Sequence, residues 1–167
     1  MRRSLTGLAL LGLCFGAATQ TASADRLPFG KAFTTLGTET CLAYFRGDQS
    51  IEAYLPEGAE YMLDPSSTGA WPGSIWEVDT LEGKIYVGTI SDRGRACQVL
   101  GQTLFGDVAI EDAAQTLSTG FQESPVDVNS VAASVWRRFI SPDNEFVDVT
   151  ETRFDGLDKS TVRLIVG

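Results

Sequence analysis

Histidine is missing from all 167 residues. Its absence excludes Ser-His-Asp and Cys-His nucleophile systems and any metal centre built on imidazole. Lysine is scarce, with only Lys31, Lys84 and Lys159. None stands three residues after a serine, so the Ser-x-x-Lys arrangement is absent. Lys31 and Lys84 each follow a glycine, but Ala32 and Ile85 come next, where a phosphate-cradling loop needs serine or threonine. Nothing in the chain calls for a cofactor.

What is present begins with a leader. Arg2 and Arg3 give a positive start, Leu5 to Ala18 an apolar run, and Ala22-Ser23-Ala24 a small-residue cleavage site before Asp25. This is the pattern of a secretory signal peptide, too short and wrongly flanked to span a bilayer. Arg2-Arg3-Ser4-Leu5 resembles part of a twin-arginine signal, but lacks the polar stretch expected before the pair, which favours the general secretory route. Residues 1–24 are therefore expected to be removed. Residues 25–167 are expected to form one α+β domain in the periplasm or outside the cell.

Losing Arg2 and Arg3 leaves 11 of the 13 basic residues against 22 acidic ones, a net charge of −11. So acidic a chain repels phosphate backbones and anionic lipid, so nucleic acid and stable membrane insertion are not expected. A cationic partner, a bound cation or simple solubility would each account for the excess, and the partners expected are a cationic protein or a small ligand.

Cys14 leaves with the leader and is a poor lipid-anchor site, because Leu13 precedes it where a small residue is expected. Cys41 and Cys97 remain. In an oxidising compartment such a pair forms a disulfide, and no histidine is present to activate either thiol. Closing the loop from Cys41 to Cys97 would restrict the unfolded chain by roughly 4 kcal/mol.

Apolar residues recur as Phe29, Phe33, Leu36, Cys41, Tyr44 and Phe45, a helical stripe opened by Pro28 and weakened by Gly30 and Gly37. Ser50 to Leu55 adds a short helical turn. Pro56 to Gly73 reads as a long loop. The period then changes to two, giving strands over 74–79, 84–90 and 95–102, with Ile85 and Val87 on one face and Cys97 and Val99 likewise paired. Asp107 is placed to cap a second helix carrying Ile110, Ala113, Ala114, Leu117 and Phe121 on one side. Gln122 to Asn129 reads as a polar linker, followed by strands over 131–140, 145–153 and 161–166. The order suggests a duplicated αβββ unit, with antiparallel sheet packed against two helices.

Carboxylates can do acid–base work without histidine. Glu77 and Asp79 share one strand face, and Asp107 and Glu111 lie one helical turn apart, though with 22 acidic residues such pairs arise by chance. No catalytic residue is assigned. Oxygen ligands cluster at Asp143-Asn144-Glu145 and Asp155-Gly156-Leu157-Asp158, but without the twelve-residue calcium-loop spacing, and the same residues are what turns require. Arg93 and Arg95 flank Gly94 in a turn. Arg137 and Arg138, as strand neighbours, point to opposite faces, so that one needs a carboxylate partner.

Four aromatic residues are the candidate ligand-binding set: Tyr54, Tyr61, Trp71 and Trp76, with Met62 among them. Such rings offer large contact area at low rotamer cost; equally, Trp71 and Met62 can fold back to cap the core. The function expected is an exported acidic binding or interaction module without catalytic activity. The alternatives are a carboxylate-based hydrolase acting on envelope glycan or peptide, and a purely structural envelope protein.

Overall fold

The computed structural model describes residues 26–62, 73–90, 94–126 and 134–167. The leader, Trp71, Arg93 and the start of the 131–140 strand lie outside the described residues. The helical stripe forms one rod of three consecutive pieces. These are α1 (Phe29–Thr35), a π-helical turn over Leu36–Cys41 and α2 (Leu42–Arg46). Pro28 stands immediately before it, where a missing N–H leaves no donor unpaired. Gly37, which reads in the sequence as a weak point, permits close packing instead. A β-carbon there would overlap the Leu164 methyl groups on the sheet below. A 3₁₀ turn over Ile51–Tyr54 follows.

Eight strands form one antiparallel sheet: β1 (Glu60–Tyr61), β2 (Ile75–Asp79), β3 (Lys84–Thr89), β4 (Cys97–Thr103), β5 (Gln122–Ser124), β6 (Val135–Ile140), β7 (Phe146–Arg153) and β8 (Ser160–Val166). Their spatial order is β1-β2-β3-β4-β8-β7-β6-β5. Two meanders therefore meet at the β4–β8 seam, with Val99 opposite Leu164. The α+β reading holds, with an amendment to the duplicated unit. Each half contributes a helix and four strands rather than three, because β1 lies inside the expected loop and β5 inside the expected linker.

The second helix, α3 (Gly106–Leu117), packs beside α1. Asp107 is not its cap: Phe105 holds that position, with no side-chain cap bond, and Asp107 sits in the first turn. Phe121 falls beyond the helix end and packs half-buried on the core. The core lies between both helices and the facing side of the sheet, where Ile85, Val87, Val99, Val147, Val149, Val162, Leu164 and Phe33 are fully buried. Cys41 and Cys97 are joined in a disulfide, Cα to Cα 5.3 Å, fastening the π turn to β4. Among the described residues no helix is long and apolar enough to cross a membrane.

Candidate functional site

The short reach of β1 leaves a hollow beside β2. β1 pairs only Glu60 with Glu77 and Tyr61 with Trp76, so the outer edge of β2 at Val78 and Asp79 has no strand beside it. The chain from Pro56 to Gly58 passes there instead, leaving a cavity of about 520 Å³ against the π turn. Its wall is apolar where Leu27, Ala32, Leu36 and Val78 meet, and its rim carries Glu39, Glu57, Asp79 and Arg26. Arg26 pairs with Asp79 at 3.2 Å. Glu39 and Glu57 have no ion-pair partner among the described residues. The Thr40 hydroxyl donates to the Tyr54 carbonyl at 3.0 Å, holding the 3₁₀ turn against the rod. Wide π turns recur at functional sites, and Leu36, Glu39 and Thr40 of this one all line the cavity.

The aromatic set divides. Tyr54 lines the cavity. Tyr61, 55% exposed, meets the Trp76 ring edge-on with centroids 5.3 Å apart. Trp76 itself is only 5% exposed and belongs to the core, so its ring is mostly covered. Trp71 falls outside the described residues. Reasoning from aromatic content alone missed Glu39, Glu57 and Val78, which the sequence scatters over some forty positions and only the β2 edge draws together.

Three of the four paired carboxylates singled out by sequence, Glu77, Asp79 and Glu111, are engaged with cations. Glu77 is ion-paired with Lys84, which raises the Lys84 pKa, and Asp79 is paired with Arg26. Tyr86, half-buried beside Glu77, has its hydroxyl pKa raised by burial and then by that carboxylate. Glu111 and Glu123 share Arg137, at 2.9 and 2.8 Å, and the hydrogen bonds from Arg137 hold Glu123 below the usual carboxylate range. Arg138 turns to the other sheet face, as strand geometry requires, and grips Asp148 with two bonds of 2.7 and 2.6 Å. Its guanidinium also lies over Trp136 and Phe146. Arg95 donates to the Tyr44 and Gln49 carbonyls, tying down the end of the rod.

Both oxygen-rich segments serve as turns. Asn144 takes a left-handed φ of 67°, Gly156 one of 81°, and Glu145 accepts two bonds from Arg46. Among the described residues no group of three or more metal-ligating side chains converges. In comparisons with known proteins, no family model, no curated protein and no solved structure matches the chain.

Proposed function

We propose that this is an exported binding module without catalytic activity. It takes a ligand with a positively charged amine on an apolar body, either a small molecule or a basic segment of a protein partner. The observation that carries this reading is an apolar cavity whose rim holds two carboxylates, Glu39 and Glu57, without cations of their own. Burial of the ligand's body against Leu36 and Val78 would supply affinity, and the rim would select charge. The leader-like residues 1–24, the disulfide and the acidity support action outside the cytoplasm, away from nucleic acid. A binding role is favoured over hydrolysis because Glu77 and Asp79, the leading acid–base candidates, are each tied to a cation.

Calorimetric titration tests this with decylammonium and, as the control of opposite charge, decanoate, both kept below micelle formation. Decylammonium is expected to bind, more weakly as salt rises, and to lose affinity severalfold in the Glu39→Gln/Glu57→Gln protein, each exposed contact being worth up to about 1 kcal/mol. Equal binding of decanoate, or an affinity untouched by the double substitution, would refute it.

A further inference from the structure

Eight large apolar side chains are exposed among the described residues, and seven of them gather at one end of the molecule: Leu27, Leu81, Leu104, Phe105, Val108, Phe154 and Leu157. The topology brings these separate segments together. Leu81 donates its backbone N–H to the Leu27 carbonyl, and Glu82 accepts from the Phe29 N–H, which joins the β2–β3 turn to the start of α1. Thr103 at the end of β4 pairs with Ser160 at the start of β8, and Ser160 pairs with Arg153 at the end of β7. The β4–α3 junction therefore lies beside the β7–β8 turn, whose tip is closed by a bond from the Leu157 N–H to the Phe154 carbonyl.

Such a concentration exceeds the scattered single residues usual on a monomer. Side chains of this size present on the order of 100 Å² apiece, so seven approach the roughly 800 Å² per partner of a stable interface. We propose that a second copy of this chain docks here, forming a two-fold dimer.

Two observations select that occupant. The first is shape. An isologous contact needs projection and recess on the same surface. The projection is the β7–β8 turn, with Leu157 64% exposed at its tip. The recess is a cavity of about 430 Å³ between the starts of α1 and α3, walled by Pro28, Phe29, Phe105, Val108 and Ala109. Leu157 of each copy enters the recess of the other.

The second observation is charge. Two copies of a strongly acidic protein repel unless they meet on a neutral face. Arg26, Lys31, Lys84, Arg153 and Lys159 give this end five exposed cations against six exposed carboxylates. Elsewhere the described exposed surface has eight carboxylates against only Arg46 and Arg163. The apolar end is thus the nearly balanced end, where like copies can approach, and it lacks the acidity that would draw a cationic partner.

Sedimentation velocity on the exported protein from 1 µM to 1 mM provides the test. A concentration-dependent dimer is expected, with dissociation constant raised at least tenfold by Leu157→Glu or Phe105→Glu and unchanged by Tyr61→Ser on the far edge. Circular dichroism melts confirm that the variants fold. A Leu157→Cys/Val108→Cys protein should oxidise to a dimer linked between those two positions with the Cys41–Cys97 bond intact by peptide mapping, a pattern that unfolded chains do not give. A monomer at every concentration overturns the proposal, as does a dimer indifferent to both glutamate substitutions. Flotation of the monomer with phosphatidylcholine vesicles, lost in Leu157→Glu, would overturn it in favour of a membrane surface. Leu27 borders both this face and the cavity of Glu39 and Glu57, but Leu157 and Phe105 do not line that cavity, so dimerisation and decylammonium binding can each fail alone.

Discussion

The Phe29 ring rests on bare backbone at Gly101: a β-carbon built there would stand 2.6 Å from Phe29 Cζ and 3.4 Å from Ile85 Cγ1. Phe29 is buried and stacks against Phe33 with centroids 6.2 Å apart, so the ring cannot swing away cheaply. The start of α1 is seated on the sheet by this contact, close to the cavity wall at Ala32.

Gly101→Ala is therefore expected to destabilise the fold by about 1–3 kcal/mol, the usual cost of adding a methyl group to a packed interior. Gly37→Ala, crowding Leu164, should behave alike despite the better helix propensity of alanine. Urea denaturation measures both. A stabilised Gly37→Ala protein would mean that helix propensity outweighs packing there.

Cleaving the Cys41–Cys97 bridge, by reductant or by Cys41→Ala/Cys97→Ala, should cost about 2–4 kcal/mol and lower Tm by about 10 °C. The bond ties the π turn to β4, so Cys97 and its neighbour Val166 on β8 should lose hydrogen-exchange protection early. Mass measurement with a thiol label checks the oxidised state, and free thiols in exported protein would contradict the pairing.

Acid should weaken the tie between the rod and the β6–β7 turn. Bonds from Arg46, and then from Ser141, hold the Glu145 carboxyl below its ordinary 4.5. A depressed folded-state pKa gives stability that is present above 4.5 and is lost as pH falls through the lower folded value. Glu145→Gln is expected to be less stable than the parent at pH 7 by about 0.5–1 kcal/mol, with the difference shrinking towards pH 2. Denaturation curves at pH 7, 4 and 2 decide it; a gap that stays constant with pH would exclude the ionised pair as its source.

Among the described residues Glu151 is the deepest charge, its side chain 1% exposed, and Arg153 two residues along the same strand is its cation at 2.9 Å. A β-carbon at Gly106 would overlap this carboxylate, so α3 begins directly over it. Arg153→Ala, leaving the buried carboxylate without its cation, should destabilise the fold more than loss of the exposed Arg26–Asp79 pair does. Glu151→Gln should cost less, since the amide keeps a hydrogen-bonding oxygen. Urea denaturation compares the two, and a loss for Arg153→Ala no greater than that for Arg26→Ala would show that water or the helix start already satisfies the charge.

Features that depend on neighbours along the chain are legible in the amino-acid order. Period two marked β2, β3, β4, β7 and β8, period near 3.6 marked α3 and the long rod, and the lone pair Cys41 and Cys97 announced the bridge. Lack of histidine closed off Ser-His-Asp and Cys-His systems and imidazole metal centres. Features that depend on residues far apart emerge only in the folded chain. β1 and β5, two and three residues long, carry no period of their own and exist because β2 and β6 offer edges to pair with. The cavity exists because β1 stops short, bringing Glu39, Glu57 and Val78 together from three segments. Gly37 and Gly101 look like weaknesses in a linear reading and become contact points only once helix lies on sheet. Local propensity is written in adjacent side chains, whereas an edge, a recess or a close approach is a property of two surfaces meeting.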